Sequence, residues 1–297
     1  MEQYFGEFAA LLTAIFWTVT ALFFEMASKR VGSLAVNMIR LLIAFVFLFV
    51  FTWIYRGTPL PLDASSHAWF WLSLSGLVGF VFGDYFLFRA YALISSRIAM
   101  LVMTLVPPIA ALIGWLWLGE MMKGKELLGM FMTISGISLA IFSRPTNSRK
   151  IKLSYPLKGL VFAFGGTLGQ AGGLVLSKYG MQDYNAFAAT QVRIIAGIIG
   201  FALIVLILRK GYLVRNALKD HKGMIGIGGG SFFGPFLGVS FSLLAVQYTT
   251  TGVAATLMAM VPVFLILPSR FVFKQRITAL EVAGAFVSVF GVTLFFW

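Results

Sequence analysis

Apolar runs of about 20 residues, separated by short polar or charged turns, recur along the whole 297-residue chain. At 1.5 Å per residue each run is long enough, as a helix, to cross a hydrocarbon core of ~30 Å. Runs at about 7–27, 35–55, 68–92, 97–118, 125–143, 157–177, 185–208, 223–247, 251–272 and 278–297 predict ten spans. Their hydrophobicity is continuous and does not alternate residue by residue, which selects helices over a barrel. The pattern therefore predicts an all-α integral membrane protein.

One stretch of this pattern occurs twice. The segment from Ile98 to Phe142 returns 155 positions later from Val253, with Pro107 over Pro262, Glu126 over Glu281, Gly129 over Gly284 and Gly136 over Gly291. Each copy is an apolar segment with a proline near its middle, a short charged turn, and a second apolar segment with glycines seven apart. The match extends outward: Ser28-Lys29 has its counterpart in Ser177-Lys178, Arg40 in Arg193, and Gly83 and Ala90 in Gly238 and Ala245. An internal repeat follows, with residues 1–143 and 157–297 as its copies and a basic linker at 144–156. Five spans per copy force the second to enter the membrane from the other side, giving two inverted five-helix repeats.

Bulk composition agrees. The chain is 60% hydrophobic and 11% charged, with a mean hydropathy of +0.93, too apolar for a water-soluble shell. Glutamates rather than basic residues precede the first run and no small-residue cleavage pattern follows it, so the first helix is expected to be retained. A net charge of +13 would suggest nucleic acid in a soluble protein, but here the basic residues sit in loops beside helix ends. Of the 21 outside the two intramembrane arginines, 17 lie on the side of the loops after spans one, three, five, seven and nine, and 4 on the side of the termini. The positive-inside rule then places both termini outside the cytoplasm.

With no cysteine and two histidines, His67 and His221, disulfides, thiolate chemistry and a histidine-built metal site are excluded or strongly disfavoured. No phosphate loop, nucleophile elbow or zinc motif is present, so no enzyme activity and no cofactor are expected. A lipid-modifying enzyme would need acidic or histidine clusters at one membrane face, and none is seen. A channel or a non-transporting scaffold is the remaining rival.

The motif Leu105-Val106-Pro107-Pro108, then Leu118-Gly119-Glu120 and Gly129 to Gly136, echoed by Val261-Pro262 and Gly284 to Gly291, resembles EamA-type members of the drug/metabolite transporter superfamily over nearly the whole chain. The resemblance implies a 5+5 carrier in which spans one, three, four, six, eight and nine surround a central cavity, and spans five and ten pack at the periphery or at a homodimer interface. It also implies export of amino acids or related metabolites by alternating access at the inner membrane, with multidrug export or metabolite uptake as alternatives. The family's usual cytoplasmic termini run against the loop charges. One departure is visible: the glutamate of the Leu-Gly-Glu motif, Glu120, is Gln275 in the second copy.

Candidate residues follow from cost. An acid inside a span costs roughly 2.5–3.5 kcal/mol on insertion scales, so Asp84 is either a substrate-amine ligand or proton-coupling carboxylate, or a structural ion pair with Arg89 or an arginine of another span. Val239 in the second copy shows that the repeat itself does not demand the acid. Arg40 and Arg193, kept in both copies, read as interface-snorkelling or carbonyl-bonding groups, with anion recognition as the alternative. Pro107, Pro108 and Pro262 free backbone carbonyls and mark flexible gating points or static kinks. Trp17, Thr18, Tyr85, Thr104, Thr167, Gln170, Ser240 and Met258 sit near mid-span on cavity-forming helices, where they line a substrate site or act as helix-packing contacts. The partners expected are a small-molecule substrate, the lipid bilayer and, as a candidate coupling ion, the proton; no nucleic acid is expected.

Overall fold

The structure, a computed structural model, describes residues 4–94, 99, 102–142, 156–266, 268 and 279–296. Residues 144–155 of the linker, the entry to span four, the exit of span nine and Gln275 lie outside the described residues. The helices are α1 (Phe5–Val31), α2 (Ser33–Arg56), α3 (Ser66–Gly76), α4 (Asp84–Leu93), α5 (Val106–Leu118), α6 (Gly124–Phe142), α7 (Leu157–Met181), α8 (Ala186–Ile207), α9 (Gly211–Lys219), α10 (His221–Ser231), α11 (Val239–Tyr248), α12 (Thr251–Met258), α13 (Val261–Phe264) and α14 (Ala279–Thr293). Among the described residues there is no strand. Among the described residues six stretches are long and apolar enough to cross a membrane: Phe5–Ser28, Ser33–Arg56, Ser66–Leu87, Leu157–Met181, Ala186–Ile207 and His221–Tyr248. Val106–Leu118, Thr251–Phe264 and Val282–Phe296 are shorter apolar helices.

Helix starts carry the residues that satisfy otherwise unpaired amides. Ser65 accepts from the Ala68 amide, Asn185 from Phe187 and Ala188, and Asp220 from Gly223. Two features depart from the sequence reading. A short helix, α9, occupies what reads as a loop after residue 208; Val214 and Ala217 pack beneath it while Tyr212, Arg215 and Leu218 face outward. Spans three and eight are each widened at mid-length by a π-helical turn, Leu77–Gly83 and Phe232–Gly238. These turns occupy equivalent places in the repeat. Each ends at a glycine, and Pro235 in the second lacks the amide that a regular α ladder needs there.

The halves exchange these widened spans. The unit α3–π–α4 packs on α7 and α8, whereas α10–π–α11 packs on α1 and α2. Glycines make the first contact possible. A Cβ on Gly169 would lie 2.5 Å from the Cα of Gly83, and one on Gly173 would lie 2.8 Å from the Cα of Gly79, so the two backbones meet without side chains between them. In the second contact the glycines of the π turn meet side chains, with Gly234 against Thr20 and Gly238 against the indole nitrogen of Trp17.

Helices α6 and α14 pack on one another with reciprocal geometry. Gly129 approaches the Gly291 carbonyl and Gly136 the Gly284 carbonyl. The Ser288 hydroxyl donates to the Thr133 carbonyl at 3.3 Å, and that of Thr133 to the Ser288 carbonyl at 3.4 Å. The glycine faces that suggest a homodimer are thus used within the chain.

Candidate functional site

Where the first π turn ends, Asp84 enters a buried cluster drawn from both halves. Its Oδ2 pairs with Nη2 of Arg40 on α2, and its Oδ1 accepts from Gln170 Nε2 on α7 at 2.9 Å. Gln170 lies between Gly169 and Gly173, the glycines in backbone contact with span three, so the close helix approach is what brings its amide to the carboxylate. Arg193 on α8 comes from the other side. Its guanidinium lies over the Phe80 ring, 5.0 Å from the centroid, and within electrostatic reach of Asp84. Arg40, Asp84 and Arg193 are 7%, 7% and 6% exposed. Among the described residues, two buried guanidinium groups therefore lie around one carboxylate.

A second cluster closes the bundle at the end where α1 begins and Phe296 lies, the terminus face. The Leu118-Gly119-Glu120 turn builds it. Gly119 adopts φ +67, a left-handed conformation that ends α5 at little cost only for glycine, and the turn folds Glu120 back over the helix. Glu120 then accepts from the Thr251 hydroxyl at 2.6 Å and the Thr251 amide at 2.9 Å, and pairs with Lys178 Nζ at 2.5 Å. Lys178 also donates to the Thr249 carbonyl at 2.6 Å, and the Thr249 hydroxyl donates to Glu7 at 2.8 Å. Gly114 leaves the space: a Cβ there would lie 2.4 Å from the Thr251 hydroxyl and 2.6 Å from Glu120 Oε2. One carboxylate of the first half thus ties together α7, α12 and the turn before α12.

The prolines sit just after helix breaks. The α5 helix starts at Val106 after a turn at Thr104–Leu105, and α13 starts at Val261 after a turn at Ala259–Met260, with Pro107, Pro108 and Pro262 in the first positions of the new helices. Spans four and nine are interrupted rather than bent, because proline is tolerated in a helix's first turn. Thr167 reaches the first break, with its hydroxyl 3.4 Å from the Val102 carbonyl and 3.5 Å from Met103 Sδ. Thr104 and Met258 are buried at the two breaks.

Of the residues singled out from the sequence, the structure brings Arg40, Asp84, Gln170 and Arg193 together. The others are dispersed. Thr18 returns its hydroxyl to the Ala14 carbonyl, Trp17 packs against Gly238, Tyr85 lies under the Arg89 guanidinium at 4.9 Å, and the Ser240 hydroxyl is buried without a hydrogen-bond partner. Arg40, and not Arg89, is the arginine paired with Asp84. The roles of Lys178, Thr251 and Glu7 escape the sequence reading, although Glu120 itself is marked by its departure from symmetry.

No curated protein matches the chain. Among solved structures it is similar to one titled only as a crystal structure of a protein, at 16% identity with a TM-score of 0.73, covering 97% of this chain and 95% of that one; likeness at that identity speaks for the fold. The profile of the EamA-like transporter family matches twice, over residues 4–142 and 157–297. With nearly every residue covered by two copies of one profile, the chain belongs to the EamA-like transporter family.

Proposed function

We propose that the protein is a secondary carrier of small organic metabolites such as amino acids, working by alternating access between two inverted five-span repeats. On this reading the six long stretches, the three shorter apolar helices and α6, with α14 forming most of the last short one, make up ten spans. The observation that carries it is the buried cluster of Arg40, Asp84, Gln170 and Arg193, supplied by both halves. A polar group so buried in a bundle is expensive and is expected at a solute path, and a site shared between repeats is sensitive to their relative movement.

The direction read here is export across a bacterial-type inner membrane, with both termini non-cytoplasmic from the loop charges. Glu120 and Lys178 would then form an outer gate, and the interrupted spans at Pro107 and Pro262 the joints that move with it. A homodimer through α6 and α14 would have to use their outer faces, where Phe131 and Phe286 are exposed. The test is counterflow in proteoliposomes across an amino-acid panel, with and without an imposed pH gradient, comparing wild type with Asp84→Asn. Saturable exchange lost in the variant supports the reading; unchanged exchange removes Asp84 from it, and unsaturable flux would point to a channel.

A further inference from the structure

The two repeat-related arginines have different partners. Arg40 has a carboxylate, Asp84, in the next span of its own half. The equivalent of Asp84 in the second half is Val239, so Arg193 lacks the counter-charge that its twin possesses. Its surroundings do not replace it. Arg193 is 6% exposed, its Nε has no hydrogen-bond partner, and among the described residues no carboxylate lies within 4 Å of it. The other carboxylates with described contacts are engaged at helix ends: Glu7 with Thr249, Asp63 with Arg56, Glu120 with Lys178, Glu126 with the Lys123 amide and Asp220 with Arg30. Asp84 acts on Arg193 from a distance while bonded to Arg40 and Gln170. Among the described residues this leaves one surplus positive charge, presented as a planar donor fork on the Phe80 ring.

An uncompensated cation is among the costliest groups to bury in a bilayer protein, and a guanidinium matches a planar carboxylate in charge and shape. We propose that Arg193 is the anion subsite of the central cluster, and that the solute bears a single carboxylate that takes the place of the one the second repeat has lost. This deepens the carrier reading and rests on it for the identity of the ligand as a transported solute. A dianionic phosphate fits less well, because the nearby Asp84 opposes a second negative charge.

The experiment uses the full chain in detergent and in proteoliposomes with matched probes: leucine and leucinamide, phenylalanine and phenylalaninamide, 3-phenylpropanoate and its amide, and a phosphate monoester. Binding is read as ligand-induced thermal stabilisation, and transport separately as counterflow. The acids are expected to stabilise wild type where the amides do not. Arg193→Gln should weaken acid binding at least about thirtyfold, in line with truncation of one member of a buried charge pair, and Arg193→Lys should fall between.

A structural arginine would behave differently. With its ligand absent, Arg193→Gln is expected to melt no lower than wild type, since it removes an unpaired buried charge, whereas Arg40→Gln should melt lower because it strands Asp84. The inference is overturned if amides bind as well as acids, if no acid in the panel binds, if the phosphate monoester binds best, or if Arg193→Gln leaves acid binding intact or fails to fold. Acid binding without counterflow would sink the carrier reading and leave the anion subsite standing; counterflow indifferent to the carboxylate would do the reverse.

Discussion

Replacing Glu120 by glutamine, the residue that the second repeat carries at Gln275, should loosen the terminus face. Glutamine retains an oxygen for the two Thr251 donors but gives up the charge that holds Lys178 at 2.5 Å. Breaking a buried ion pair by removing one partner costs about 3–5 kcal/mol. The value here should be lower, because the Lys178 side chain is a quarter exposed and keeps its bond to the Thr249 carbonyl. An estimate of about 2 kcal/mol translates into a shift of about thirtyfold in the closed-to-open ratio. The chain contains no cysteine, so a single Ala255→Cys, one turn below Thr251 and 3% exposed, reports opening through its reaction with a membrane-impermeant maleimide. Labelling in proteoliposomes should rise about thirtyfold when Glu120→Gln is added, and Gly114→Ala, which crowds the same oxygen, should move it in the same direction. Equal labelling rates with and without Glu120→Gln would refute the idea that this contact holds the face closed, whatever the variant does to the melting temperature.

Other outcomes follow from the same contacts. Arg40→Met should destabilise the protein by about 3–5 kcal/mol by leaving Asp84 buried without its partner, whereas Arg40→Met with Asp84→Leu should recover most of that loss; thermal unfolding of the single and double variants checks this. Gly169→Val should disrupt the contact between α7 and span three, since even a Cβ would come within 2.5 Å of a backbone atom, and the melting temperature and counterflow should fall together. The Asp220 carboxyl is held below the usual carboxylate range by its hydrogen bonds from Arg30 and the Gly223 amide. Its contribution to stability is therefore present above the ordinary carboxylate pKa and lost as pH falls through the lowered one, so the melting difference between wild type and Asp220→Asn should shrink as pH falls below about 4. A disulfide through Phe131→Cys should form between copies if a dimer uses the outer face of α6, and cross-linking yields in proteoliposomes at low protein density decide it.

Much of the scaffold is legible in the chain because membrane segments carry their signal locally. About 20 apolar residues need no partner to be recognised, and the repeat of Pro107 in Pro262 and of Gly129 to Gly136 in Gly284 to Gly291 exposes the internal symmetry directly. What the sequence does not disclose is which symmetric faces meet. The glycines of α6 and α14 read equally well as a surface for a second copy, and only their reciprocal contact within the chain, Thr133 with Ser288, shows where they go. The π turns are hidden for a related reason: Leu77–Gly83 is as apolar as the helix on either side, and the widening comes from backbone register.

The charged residues show the limit most clearly. Their cost in a bilayer marks Asp84, Arg40 and Arg193 as significant from composition alone, but partner choice depends on the exchange of span three between the halves, which no local pattern records. Symmetry then becomes informative by its failures. Both arginines are kept while one acid is not, and one Leu-Gly-Glu glutamate is kept while the other is glutamine. The scaffold tolerates Val239 and Gln275 at these positions, so neither Asp84 nor Glu120 is needed merely to build the repeat. The first loss leaves a buried guanidinium in want of an anion; the second leaves Glu120 with Lys178 at the terminus face, where the repeat counterpart of Glu120 is Gln275. On the carrier reading the terminus face should rest closed, a bias that the Ala255→Cys labelling rate would register in wild type as slow reaction before Glu120 or Lys178 is changed.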